Sequence, residues 1–190
     1  MIKKLLGAVA LAGALSISGQ ALVNPAMAQE PVTVGGAPMF ADRDIIDNAV
    51  NSADHTTLVA AVQAAGLVET LKGDGPFTVF APTNAAFDKL PDGTVESLLE
   101  PEMRDALTGV LTYHVVPGRL TGQDLMNRIR ANGGTYNMTT VAGNPITARM
   151  NGNRLVIIDQ SNGGALVTVA DVLQSNGVIH VVDSVLLPRM

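Results

Sequence analysis

Apolar positions recur with a helical period in the first half of the chain and with a strand period in the second. Ile45, Ile46, Ala49 and Val50 share one face at a 3.6-residue spacing. Asp54 or Thr56 caps a second helix, in which Leu58, Val59, Val62, Ala65 and Leu67 point inward. Gly73-Asp74-Gly75-Pro76 stops it. Phe77 to Phe80 is then a short strand ending at Ala81-Pro82, and Thr83 caps a short helix carrying Ala86, Phe87 and Leu90. After the Pro91-Asp92-Gly93 turn, Val95 to Leu99 is helical. Pro101 restarts a helix holding Met103, Leu107, Val110 and Leu111.

From Tyr113 onward the spacing favours strands separated by Asn-Gly turns. Pro145 to Met150 and Arg154 to Asp159 flank Asn151-Gly152-Asn153, a hairpin signal. Ala165 to Ala170 is a further β-branched run. Asn176-Gly177 leads into Val178-Ile179-His180-Val181-Val182, a strand apolar enough to be buried on both faces. Helices first and strands afterwards predict an α+β fold, with the helices packed to one side or end of a mainly antiparallel sheet.

The first 28 residues break this pattern. Lys3 and Lys4 precede an uncharged apolar run, and Ala26-Met27-Ala28 is a small-x-small cleavage site. They read as a signal peptide, with the exported chain starting at Gln29. A retained anchor is the competing reading, weakened by Gly7, Gly13, Ser16, Asn24 and Pro25, because a spanning helix needs about 20 mainly apolar residues. Residues 29–41, rich in Pro and Gly, read as a flexible lead-in to one domain over 42–190. A domain of this size builds a core without metal or disulfide, and the chain has no Cys, which also excludes a lipid-modified N-terminal Cys. The net charge is −5 over the whole chain and more negative once Lys3 and Lys4 are removed. With 3% aromatics and no basic cluster, nucleic acid is excluded as a partner, and stable membrane insertion is not expected after cleavage.

Little in the sequence suggests catalysis. None of Ser52, Ser97, Ser161, Ser175 and Ser184 sits in a Gly-x-Ser-x-Gly elbow. His180, Asp183 and Ser184 lie close in sequence, but on a strand Asp183 faces away from the other two. His180 and Ser184 are also ~13 Å apart by rise, beyond proton-transfer reach. His55, His114 and His180 lack paired metal-ligand spacing, and no cofactor motif is present, so neither metal nor cofactor is expected. His114 follows Tyr113 where a helix turns into a strand. It is either an acid, base or ligand, or a buried imidazole pinning two layers together, and the second is the better reading. Asn137-Met138-Thr139 matches a glycosylation acceptor and is read as a surface turn. Asp171-Val172-Leu173 reads as a strand end or turn.

Three segments together resemble the fasciclin family of adhesion domains. They are Thr78 to Phe87 with Leu90 to Val95, Leu111 to Gly118 around Tyr113-His114, and Asn176 to Asp183 through Leu187-Pro188. The resemblance covers residues 45–188. It implies a wedge-shaped β-sandwich with several helices packed on one side, and a secreted or periplasmic role without catalysis. In the family, the Tyr-His pair and an Asp-Ile motif are linked to integrin adhesion. Here these are Tyr113-His114 and Asp171-Val172, with Val in place of Ile. Asp171, Val172, Tyr113 and His114 are therefore the partner-contact residues that the resemblance implies. The partner would be a cell-surface or extracellular-matrix protein or a glycan. The competing functions are an exported hydrolase-type enzyme using His114 or His180, and a weakly self-associating envelope protein.

Overall fold

The computed structural model describes residues 31–189; the signal-peptide assignment lies outside them. Helices α1 (Ile45–Ala49), α2 (Thr56–Ala65) and α3 (Val68–Lys72) occupy the stretch expected to be helical. Asp44 caps α1, its Oδ1 accepting from the Asp47 N–H at 2.8 Å. Strand β3 (Phe77–Pro82) leads into α4 (Asn84–Phe87), α5 (Thr94–Leu98) and α6 (Arg104–Tyr113), as the apolar spacing predicts.

Two stretches differ from the sequence reading. Residues assigned to the lead-in form a hairpin of β1 (Val32–Val34) and β2 (Ala37–Met39), with Val34 and Met39 buried in the core. The strand-rich second half also contains a helix, α7 (Gly122–Ala131), with a reciprocal capping box between Thr121 and Asp124. It follows β4 (Val115–Pro117).

The strands β5 (Thr135–Thr139), β6 (Pro145–Asn151), β7 (Arg154–Ile158), β8 (Gly164–Gln174) and β9 (Gly177–Val182) complete the sheet. Its order is β4-β3-β9-β8-β7-β6-β5. All pairings are antiparallel except β3 with β9, so the sheet is mixed. Asn137 lies in β5 and not in a turn, and β8 runs on through Asp171 to Leu173.

Register shifts in β8, between Val167 and Val169 and again between Val169 and Val172, bend the sheet back on itself. Val141, just after β5, donates its N–H to the Val115 carbonyl of β4 at 2.8 Å, so the two ends of the sheet nearly meet.

Period-2 alternation in the central strands divides the interior in two. Val79 and Ala81 of β3, with Ile179 and Val181 of β9, face a core closed by α1, α2, α3 and α6. Phe80 and Val182 face a second core between the halves of the bent sheet. Ile146, Ile157 and Leu186 fill that core, and Leu125 and Ile129 of α7 cover it. The fold is α+β. Most helices lie on one side, and α7 packs separately over the second core.

Candidate functional site

The junction of α6 and β4 carries Tyr113 and His114, and both are built into the interior. The Tyr113 hydroxyl donates to the Pro145 carbonyl at 3.0 Å and accepts from the Gln160 N–H at 3.1 Å. His114 Nδ1 lies 2.8 Å from the Val110 carbonyl, which only accepts, so Nδ1 carries the proton. Nε2 then accepts from the Leu186 N–H at 2.9 Å. Both ring nitrogens are thereby committed to the backbone, one to α6 and one to the C-terminal segment. Burial pushes the His114 pKa down to about 4, against the weaker opposing pull of the Val110 carbonyl and the Asp159 carboxylate. That carboxylate accepts from the N–H groups of Ser161, Gly163 and Leu187, anchoring the same C-terminal segment. This is the layer-pinning imidazole expected from the sequence, and the arrangement leaves His114 no free nitrogen for proton transfer.

His180 is held in the opposite tautomer. Its Nε2 donates to the Leu120 carbonyl at 2.8 Å, and its Nδ1 accepts from the Asp171 N–H at 3.3 Å. The ring stacks on Phe80, with centroids 5.6 Å apart. Burial lowers its pKa as well. A hydrolase working through His114 or His180 therefore finds neither ring open to substrate.

Asp171 sits at a β8 irregularity with a φ of 59°, in the left-handed region that Asp tolerates better than most residues. Its Oδ1 accepts from the Gly122 N–H at 2.6 Å, at the first residue of α7. This satisfies a helix-end donor that has no partner within the helix, and it sets a negative charge at the positive end of the helix. Of the four residues implied as partner contacts, Asp171 alone is exposed. Tyr113, His114 and Val172 are 0%, 3% and 1% exposed, so they offer a partner no surface in this conformation. Their place is in the scaffold, because their polar groups meet backbone and Val172 packs in the first core.

The sequence reading missed a Ser–His contact. Ser52 Oγ lies 2.9 Å from His55 Nδ1, and both side chains are buried. The Ser-x-x-His spacing across a helix start was the available signal. A triad would need a carboxylate on the other nitrogen. His55 Nε2 has no hydrogen-bond partner. Among the described residues, no group of three or more His, Asp or Glu is placed to hold a metal ion.

A polar cleft of about 700 Å³ opens at one end of the sheet. Arg43, Asp44, Asp47, Lys72, Asp74 and Arg119 line it, from three separate stretches of the chain. Lys72 Nζ lies 2.6 Å from Asp47 Oδ1 and 3.7 Å from Asp44 Oδ2. The Lys72 contact holds Asp47 below the usual carboxylate range, and Asp47 raises Lys72 in turn. Arg119 donates to the carbonyls of Gln174 and Ser175 at 2.9 and 3.2 Å, and Arg43 covers the Phe40 ring. Acidic and basic groups alternate around the cleft, so it presents hydrogen-bonding groups of both kinds without one dominant charge.

Comparison with known proteins fits this architecture. The fasciclin domain family model matches residues 53–188. The chain is 41% identical over 177 residues to Protein sll1483 of Synechocystis sp., covering 93% of this chain and 91% of that one. It is 35% identical to the immunogenic protein MPB70 of Mycobacterium bovis, over 85% of this chain and 71% of that one. Transforming growth factor-beta-induced protein ig-h3 of Sus scrofa is 35% identical over 70% of this chain, which spans 17% of that much longer protein. The fold resembles a FAS1 domain pair from the insect cell adhesion molecule Fasciclin I, with a TM-score of 0.68 at 20% identity. That likeness covers 76% of this chain and about half of the pair (51%). The bent mixed sheet and a match over most of the described residues agree: the chain belongs to the fasciclin domain family.

Proposed function

We propose that this domain is a non-catalytic binding module, secreted or periplasmic after cleavage near Ala28. It contacts a cell-surface or matrix protein or glycan through its outer surface. The reading is carried by the burial of Tyr113, His114 and Val172, whose engagement inside the fold moves recognition to exposed groups. Among these, the cleft around Arg43, Lys72 and Arg119 has the size of a ligand site and an unusual density of donors and acceptors. Membership of a family that includes a cell adhesion molecule supports the same reading. No described helix is long and apolar enough to cross a membrane. A lone domain gains little avidity, so binding to an array of sites, or weak self-association, would strengthen it.

The test is capture of extracellular polysaccharides and matrix proteins by immobilised protein, against an inert domain on the same support. The Arg43→Ser/Lys72→Ser double variant should capture at least about tenfold less while keeping its melting temperature. Retention no greater than on the inert support would reject the binding role. Undiminished capture by the double variant would reject the cleft as its seat.

A further inference from the structure

A small cavity of about 40 Å³ lies in the first core, between α1, α2, α6 and the β3–β9 pair, with the β1–β2 hairpin as a further wall. Ala49, Leu58, Leu111 and Val181 are among the apolar side chains around it. His55 and His114 supply the wall's polar side chains. His114 spends both nitrogens on Val110 and Leu186. His55 spends Nδ1 on Ser52, and its buried Nε2 has no partner. The Ala81 carbonyl on the same wall is near enough to favour a proton on the ring. No hydrogen bond joins that carbonyl to Nε2. Buried polar atoms in native proteins are nearly always satisfied, so an orphan at a cavity wall points to something that fills it.

We infer that this cavity is a binding site for a small neutral alcohol, with the hydroxyl at His55 Nε2 and a short alkyl body among the surrounding aliphatic side chains. An alcohol fits better than water, because a water would meet only His55 Nε2 and the Ala81 carbonyl, the fewest polar partners an enclosed water takes, and would leave the apolar walls unfilled. Burial lowers the pKa of His55 and keeps the ring neutral, so it offers no charge to balance a carboxylate or phosphate. The Ser52 contact permits either tautomer, leaving Nε2 a donor or an acceptor. A hydroxyl serves both cases, whereas a carbonyl serves only one. The small size of the cavity limits the ligand to a few heavy atoms. The site is independent of the surface cleft and of any adhesive role.

The experiment is an NMR titration of the protein, labelled at Leu and Val methyls and at histidine nitrogen, with ethanol and, separately, with dissolved ethane. Ethanol should give a saturable response, in the millimolar range expected for so small a ligand. That response should be confined to methyls around the cavity, such as those of Leu58, Val62 and Leu111, and to the His55 Nε2 signal. The preference for ethanol over ethane should fall at least about tenfold in His55→Leu, which removes the hydrogen bond and keeps an apolar wall. A linear, dispersed response to ethanol, or an unchanged preference in His55→Leu, overturns the inference. Should His55→Leu fail to fold, Ala49→Val decides. It adds bulk at the cavity wall, and cavity-methyl shifts that persist undiminished in it reject the site.

Discussion

At the scale of single residues, the two histidines in the matching family segments work through complementary tautomers. His114 donates from Nδ1 and His180 from Nε2, and each accepts a backbone N–H on its other nitrogen. The sequence shows His114 at a helix–strand junction, which is enough to suggest a pinning role. It does not show the partner, because Leu186 lies 72 positions away and meets the ring only through the fold. Asp171 has a similar history. It joins a positive φ, a helix-end acceptor and the N–H given to His180 in one residue. Asn keeps the acceptor oxygen and tolerates that backbone, so Asp171→Asn should unfold in urea within about 0.5 kcal/mol of the parent. Asp171→Val loses the acceptor and adds a branched Cβ at positive φ, and should cost ~2–4 kcal/mol by the same measurement. Equal midpoints for the two variants would mean that Asp171 does not hold α7. For binding studies, Asp171→Asn is consequently the cleaner control.

At the scale of elements, the strongly periodic helices and the Asn-Gly hairpin were legible, and two weaker elements were not. Helix α7 buries only Gly122, Leu125 and Ile129, so its apolar stripe is too narrow to stand out against Gln123, Asn127, Arg128 and Arg130. Its start was written in Thr121-x-x-Asp124, with Asp in the place usually held by Glu or Gln. Thr121→Ala should lower stability by about 1 kcal/mol in urea unfolding. Amide exchange should quicken first in residues 122–126, where the cap is lost. Uniform exchange through the whole domain would show that α7 does not fray independently. The β1–β2 hairpin also had a signal, the Gly35-Gly36 loop between two short runs. Pro38 and the short length masked it, since Pro argues against a strand unless it lies at an edge. The parallel β3–β9 pair depends on the absence of side chains. A Cβ on Gly177 would stand 2.2 Å from the Phe77 carbonyl oxygen, and one on Gly75 would stand 2.0 Å from that of Asn176.

At the scale of the molecule, three histidines are buried, and burial lowers the pKa of each. Asp54, Asp159 and Asp171 pull in the opposite direction without overcoming it. Unfolding exposes these rings, which then take up protons more readily than in the folded state. Stability is therefore fully present above about pH 6.5, the ordinary histidine value. It declines as pH falls below that, and the His114 part continues to be lost down to about pH 4. His114 alone contributes on the order of 3 kcal/mol to this decline. Urea midpoints measured from pH 8 to pH 4 should stay level and then fall. A midpoint that rises on acidification through pH 6 would mean that these rings are charged, or open, in the folded protein. Net charge sets a second trend, because acid neutralises the carboxylate excess and weakens self-repulsion. Histidine desolvation works against that trend.

The sequence by itself determined the α+β class, most of the helices, the Asn-Gly turns and the doubly buried closing strand. Apolar periodicity and turn chemistry are local properties, carried by neighbours within a few positions of one another. Only the tertiary structure decided that β9 lies parallel to β3 and that the bend in β8 folds the sheet around a second core. It also decided which backbone groups Tyr113 and His114 meet, that Val172 is interior, and that Asp171 caps a helix. Each of those outcomes depends on which distant groups satisfy one another's hydrogen bonds. Contacts of that kind leave no spacing in the chain to read.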